Sequence, residues 1–213
     1  MQAVECSSQV ETRTTSPSQF EATRARIQAR AALRQGGVMQ IRRIQAHDLQ
    51  WLPALADLLI DSVHQGATLG FLAPLSRYAA LDYWHSVYAR LGNRQALWIA
   101  CEGGSHGPLQ GAVQLKLEAP PNAHHRGEVQ RLMVHSQERG RGIARHLLAA
   151  LESSAADLGR HLLVLDAPQD SHSERVFLHL GWQHGGKIPG FESSAEGEMQ
   201  GAVMLYKQMP RLC

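Results

Sequence analysis

A chain of 213 residues is long enough for one substantial core and fits a single domain. Its residues are 44% apolar and 19% charged, the composition of an ordinary globular protein, and the formal net charge is only +2. Five arginines and three glutamates in residues 1–38 carry that excess, leaving sixteen basic and sixteen acidic residues in the remainder. A body without net charge argues against sequence-independent nucleic-acid binding, which depends on neutralising phosphates. Cys6, Cys101 and Cys213 lie far apart, which is neither a disulfide framework nor a metal-ligand cluster, and this fits a reducing cytoplasm. No apolar run approaches the roughly 20 residues of a membrane-spanning helix, and no signal-peptide core is visible, so a soluble protein is expected.

Residues 1–37 are rich in Ser, Thr, Gln and Arg and poor in large apolar residues, and are expected to be a disordered extension. The folded domain is placed at 38–213. Val38 to Ile44 reads as a short strand. Asp48 is expected to cap a helix carrying Trp51, Leu55, Leu58 and Leu59 at helical spacing, with Pro53 in its first turn. Pro74 to Leu91 reads as a second helix with Tyr78, Leu81, Trp84 and Val87 inward, ended by Gly92–Asn93. Three strands follow at Ala96–Glu102, Gln110–Glu118 and Gly127–Val134. In the second, Val113, Leu115 and Leu117 alternate with Ala112, Gln114 and Lys116, the pattern of a half-buried strand. Ile143 to Leu158 is a strongly amphipathic helix ended by Gly159. The strand Leu162–Leu165, a short helix ending at Gly181 and two strands near Trp182–Ile188 and Ala202–Lys207 complete the chain, with a loop at Pro189–Gly197. The order is β-α-α-β-β-β-α-β-α-β-β, an α/β protein with a mixed sheet covered by helices.

The turn between the strand ending at Val134 and the following helix carries the sharpest chemical signal. Gly140 and Gly142 permit positive φ and a close backbone approach to a bulky anion. Unpaired amides and the macrodipole at a helix start favour negative charge, and Arg139, Arg141 and Arg145 add to it. The turn therefore suits a phosphate or pyrophosphate, although two glycines alone also fit a tight turn with a solvated basic face. It is no Walker loop, for Gly-Lys-Ser/Thr is lacking, and no dinucleotide fingerprint, which needs three spaced glycines.

The run Gln137-Glu138-Arg139-Gly140-Arg141-Gly142 resembles the Gln/Arg-x-x-Gly-x-Gly/Ala signature of the GNAT superfamily of N-acetyltransferases. Leu132-Met133-Val134 before it and the element order across residues 39–208 are similar to that family too. Val63 to Ala67, Gly70-Phe71, Glu128 to Val134 and Pro189-Gly190-Phe191 resemble the tabtoxin-resistance type in particular. The resemblance implies the GNAT acyl-CoA N-acyltransferase fold, acetyl-CoA as co-substrate and no metal. It implies that Leu132, Met133 and Val134 pair with the pantetheine arm across a splayed strand. The backbone of Gln137, Glu138, Arg139, Gly140, Arg141, Gly142, Ile143 and Ala144 is then expected to hold the pyrophosphate. Leu162–Leu165 is expected to form the other wall of the cleft.

Glu128 matches the catalytic glutamate of GNAT histone acetyltransferases. Period-two counting puts it on one strand face with Leu132, and desolvation beside an apolar cleft is expected to raise its pKa, as suits a general base. A strand carboxylate in a salt bridge is the alternative. Where many GNAT enzymes carry a tyrosine proton donor, the chain has Phe177, and Asp170 replaces a common asparagine. Phe177 is therefore expected to line the cofactor site without donating a proton. Of twelve histidines, His64 is the acceptor-site candidate, and the adjacent His124–His125 do not suit metal ligation. Phe71 and Phe191, in glycine-bearing loops, are candidates to contact the acceptor, whereas Trp84 and Trp182 are expected in the core. The expected partner is a small-molecule primary amine, an amino-acid-like metabolite or toxin that attacks the thioester directly, with no nucleic acid and no membrane, and a homodimer is left open. Two other functions remain: acetylation of a protein, and an acyl-CoA sensor with little catalytic power.

Overall fold

The computed structural model describes residues 38–103, 107–194 and 197–210. The expectation for residues 1–37 lies outside them. Seven strands form one mixed sheet in the order β1-β2-β3-β4-β5-β7-β6. They are β1 (Met39–Arg43), β2 (Gln95–Glu102), β3 (Leu109–Leu117), β4 (Arg126–Val134), β5 (Leu162–Pro168), β6 (Gln183–Ser193) and β7 (Met199–Gln208). All neighbours run antiparallel except β4 and β5. The α-helices among the described residues are α1 (Leu52–His64), α2 (Arg77–Tyr88), α3 (Ile143–Asp157) and α4 (His172–His179).

Two apolar cores lie on opposite faces of the sheet. On one, Leu55, Leu58, Leu59, Trp84 and Val87 of α1 and α2 pack on Leu97, Ile99, Ala112 and Met133. On the other, Leu147, Leu148 and Leu151 of α3 and Phe177 of α4 pack on Trp98, Val113, Leu115 and Leu163. This is the mixed α/β layering expected, and Trp84 and Trp182 are both core residues.

Several local expectations change. Asp48 opens a 3-10 turn at Leu49–Trp51 rather than capping α1, and its carboxylate accepts from the amide of Gln45 at 2.8 Å. Ser76 caps α2 by accepting from Ala79, so the helix begins three residues after Pro74. Tyr78 is 82% exposed, because the inward stripe of α2 runs through Ala80, Trp84, Val87 and Tyr88 instead. The polar side of β3 is solvated at Lys116 but not at Gln114, which is fully buried beneath Tyr83 of α2. Its Oε1 accepts from Tyr83 Oη at 3.0 Å and Gln95 Nε2 at 2.5 Å, so the buried amide oxygen is satisfied. The segment expected as a loop at Pro189–Gly197 is strand up to Ser193, and Phe191 stands on β6, 44% exposed, at a register irregularity.

Candidate functional site

The site begins with a break in the sheet. Strands β4 and β5 pair only through Arg126–Leu162, Gly127–Leu163 and Glu128–Val164, and then part. From Val129 onward β4 keeps its partner β3 but has none on the β5 side. Backbone groups facing such a gap need an acceptor or donor from elsewhere.

A bulge in β4 shapes this gap. Ala112 pairs with Met133 and Gln114 with Gln130, so Arg131 and Leu132 together stand opposite Val113. Arg131 takes a left-handed φ of 49° to make the turn. The extra residue reverses the alternation. Met133 packs with α1, while Leu132 and Val134 pack with the α3 core. Glu128, opposite Lys116, and Gln130, opposite Gln114, face the α2 side. Glu128 therefore does not share a face with Leu132, contrary to period-two counting, which fails across a bulge.

At the far end of β4 the chain turns through Ser136–Glu138 into α3. Gly140 and Gly142 have φ of 77° and 75°, and Gly142 occupies the N-cap of α3 without a side-chain cap. No acidic residue lies in the first turn of α3, so its leading amides are left for an external acceptor. Asp61 of α1 anchors the start of the turn, accepting from the Ser136 amide and hydroxyl at 2.8 Å each.

A cleft of about 1360 Å³ runs along this side of the sheet, lined by Leu132, Met133, Val134, Glu138, Arg139, Gly140, Gly142, Ile143, Ala144, Arg145 and, from α4, Phe177. Of the residues expected to hold a cofactor, Gln137 and Arg141 are absent from its wall. The Gln137 amide donates to His135 Nδ1, and Arg141 forms an ion pair with Glu138. Arg139 and Arg145, expected with Arg141 to add positive charge here, do line the wall.

The inner end of the cleft meets a smaller cavity of about 230 Å³ where the strands part. Thr68, Leu69, Leu132, Pro168, Ser173 and Phe177 line both. The smaller cavity adds Gly70, Glu128, Gln130, Arg131, Leu165 and Asp166. Glu128 accepts from Lys116 Nζ at 2.9 Å and Gln130 Nε2 at 2.6 Å. Burial pushes its carboxyl up, but these two hydrogen bonds and the charges of Lys116 and Arg126 outweigh it, and the pKa lies below the ordinary value. The expected upward shift is thus reversed. Asp166, across the gap on β5, moves the other way: burial raises its pKa and outweighs the lowering by its own backbone amide, while the charge of Glu128 raises it further and that of Arg131 lowers it. Sequence reasoning passed over Asp166 and Arg131, although their places, one residue beyond the expected end of a strand and one before Leu132, were in view.

The remaining candidates are dispersed. Phe177 is buried at the junction of the cavities, edge-on to Trp182 with ring centroids 5.4 Å apart. Phe71 packs edge-on to Tyr83 at 5.2 Å, beside Arg131. His64 lies outside both cavities and accepts the Leu75 amide through Nε2 at 3.3 Å, which ties down the loop between α1 and α2. Phe191 also lies outside both walls. Among the described residues no group of three or more potential ligands forms a metal site, and no helix is long and apolar enough to cross a membrane.

The same architecture recurs in solved structures. The candidate acetyltransferase yncA of Salmonella typhimurium, solved with its cofactor acetyl-CoA, is similar over 82% of this chain and 96% of its own, with 19% identity and a TM-score of 0.65. A ribosomal-protein-alanine N-acetyltransferase from Brucella melitensis is 22% identical over 80% of this chain and 99% of its own, with a TM-score of 0.65. A candidate phosphinothricin N-acetyltransferase is 17% identical over 81% and 99%, with a TM-score of 0.68. At these identities the likeness is one of fold. The acetyltransferase (GNAT) family model, by contrast, matches the sequence itself over residues 54–182, from within α1 through the parted strands and the glycine turn to just beyond α4. That stretch is more than half of the chain, and the chain accordingly belongs to the GNAT family of acetyltransferases.

Proposed function

We propose that the protein transfers the acetyl group of acetyl-CoA to a primary amine of a small molecule, in the cytoplasm and without a metal. One observation carries this reading: a cleft that ends on uncapped helix amides opens, at Leu132 and Phe177, into a small polar cavity. A diphosphate suits the amides from Gly140 to Ala144 and the charges of Arg139 and Arg145. A flexible arm with amide groups suits the unpaired edge of Leu132, Met133 and Val134. Gln137 and Arg141 shape this turn from outside the wall, and Glu138, which lines it, holds Arg141.

The thioester of acetyl-CoA supplies an activated acyl carbon, and the residues of the small cavity prepare the amine. Asp166, with its raised pKa, accepts the proton that an ammonium must lose before attack, and Glu128 remains ionised beside it. Phe177 excludes water from one side of the junction and has no proton to give, so the leaving thiolate is protonated by solvent in the open cleft. The cavity of about 230 Å³ favours a small acceptor over a folded protein surface. The candidate phosphinothricin neighbour and the segments similar to the tabtoxin-resistance type agree with that preference. Phe71 lies against the acceptor cavity through Arg131, whereas His64 and Phe191 serve the surrounding loop and strand.

The test is acetyl-CoA with a panel of amines, read by mass detection of products and by release of free thiol. Acetylated small amines are expected. Products confined to protein N-termini would transfer the reading to protein acetylation. Absence of both products, with thermal stabilisation by acetyl-CoA retained, would make the chain an acyl-CoA sensor.

A further inference from the structure

Arg131 is an unusual wall residue. It is the only Lys or Arg among the residues lining the small cavity, and it sits on the bulge with φ of 49°. Its guanidinium carbon lies 4.8 Å from the Tyr83 ring centroid and 5.8 Å from that of Phe71. A methyl group built on Gly70 would come within 3.2 Å of its terminal Nη2, so the loop between α1 and α2 leans directly on it. Its Nε is buried and donates to no partner, and no carboxylate among the described residues forms an ion pair with it. Glu128 is already paired with Lys116, while Asp166 across the gap has no ion-pair partner among the described residues. The cavity therefore presents one cation and one carboxylate on opposing strands, close enough for the charge of Arg131 to act on Asp166 but without an ion pair between them.

We propose that Arg131 binds an anionic group of the acceptor, so that the substrate is a small molecule carrying both a carboxylate and the amine, an amino acid in the broad sense. This deepens the proposed function and rests on the small cavity being the acceptor site. A planar guanidinium packed against two rings is pre-organised for the two oxygens of a carboxylate, which its terminal nitrogens would meet. The amine of the molecule then falls toward Asp166 on the opposing strand. Tyr83 and Phe71 pack against the guanidinium, and Gly70 leaves it room.

The experiment compares α-amino acids with their primary amides and their decarboxylated amines, in wild type, Arg131→Met and Arg131→Lys. Turnover is followed by thiol release, and binding by thermal shift in the presence of CoA. Wild type is expected to prefer the carboxylate-bearing member of a pair by roughly tenfold to a hundredfold in kcat/KM. Arg131→Met removes the preference, Arg131→Lys restores part of it, and affinity for acetyl-CoA stays within about twofold in both. Equal rates for amino acids and decarboxylated amines in wild type would overturn the inference. So would an Arg131→Met variant that raises KM for both members alike, since that is the mark of a residue that only wedges the loop. If nothing is acetylated, carboxylate-dependent stabilisation lost in Arg131→Met still upholds the anion site while the acetylation reading falls. No such stabilisation rejects both.

Discussion

Asp61 and Ser136 join the last turn of α1 to the glycine turn, one carboxylate accepting both the amide and the hydroxyl of the serine at 2.8 Å. An acidic residue near a helix C-terminus opposes the macrodipole, so Asp61 does not stabilise α1 itself. Its contribution lies in the position of the turn. Asp61→Ala is expected to cost about 1–3 kcal/mol by leaving a half-buried amide unpaired, and to weaken acetyl-CoA binding. Ser136→Ala keeps the amide bond and should cost less on both counts. Denaturant titration and calorimetry of acetyl-CoA binding check the order, and equal losses in the two variants would contradict it.

The glycines of the turn are required by backbone rather than by space. A Cβ on Gly140 meets nothing within 4 Å, and one on Gly142 meets only the His146 ring at 3.8 Å. Left-handed φ at both therefore sets the cost, about 1–2 kcal/mol for an alanine at either position. Gly142→Ala is also expected to weaken acetyl-CoA binding more than Gly140→Ala, because Gly142 is the N-cap that aims the amides of α3. Chemical denaturation paired with binding titration distinguishes the two effects.

The three arginines of the turn should not be equivalent. Arg139 and Arg145 line the cleft, whereas Arg141 is held by Glu138. Reversing the charge at Arg139 or Arg145 is expected to weaken acetyl-CoA severalfold at low salt, with the effect shrinking as ionic strength rises. Arg141→Glu should change affinity less than either. Titrations at two salt concentrations decide it, and an Arg141 effect as large as the others would place that side chain at the cofactor.

These differences mark where the sequence was legible. The strand, glycine turn and helix from Leu132 to Leu158 could be read because local rules act within a few residues: positive φ at Gly140 and Gly142, and the 3.6 period of α3. The side chain of Arg131 could not be placed, since one extra residue opposite Val113 reverses every face beyond it and is specified by the partner strand. Gln114 looked solvated for a related reason: α2 lies over it, and nothing within β3 records that cover. The Glu128 pKa direction was missed because Lys116 comes from the neighbouring strand. Phe191 was placed in a loop because Pro189 and Gly190 look like a break, yet β6 absorbs them at a register irregularity.

The two carboxylates of the small cavity should respond oppositely to acid. Glu128 has a folded pKa below its ordinary value of 4.5, so its stabilisation is complete above that value and is lost as pH falls through the folded one. Asp166 has a folded pKa above its ordinary 3.8, so it opposes folding once ionised and the penalty fades as pH falls. At neutral pH Glu128→Gln is expected to lower Tm and Asp166→Asn to raise it, and both differences should shrink toward about pH 3. Asp166→Asn should also reduce turnover far more than Tm alone would suggest. Melting curves from about pH 3 to about pH 8 provide the check, and shifts of the same sign would refute the assignment.

Phe177 poses the last question, because it stands at the junction of the two cavities without a proton to donate. Its ring is 6% exposed and packs edge-on to Trp182, so Phe177→Tyr keeps the packing and adds one hydroxyl. A positioned acid can accelerate a proton-limited step by about 10²–10⁴-fold, but a hydroxyl placed without supporting partners should achieve only a small part of that. The expected outcome is a severalfold rise in kcat with KM for acetyl-CoA nearly unchanged and Tm within a few degrees. Phe177→Leu, which removes the ring edge and gives no donor, should lose about 1–2 kcal/mol of stability and gain nothing in rate. If Phe177→Tyr leaves kcat unchanged, protonation of the thiolate by solvent is not the slow step, and attack by the amine or product release is.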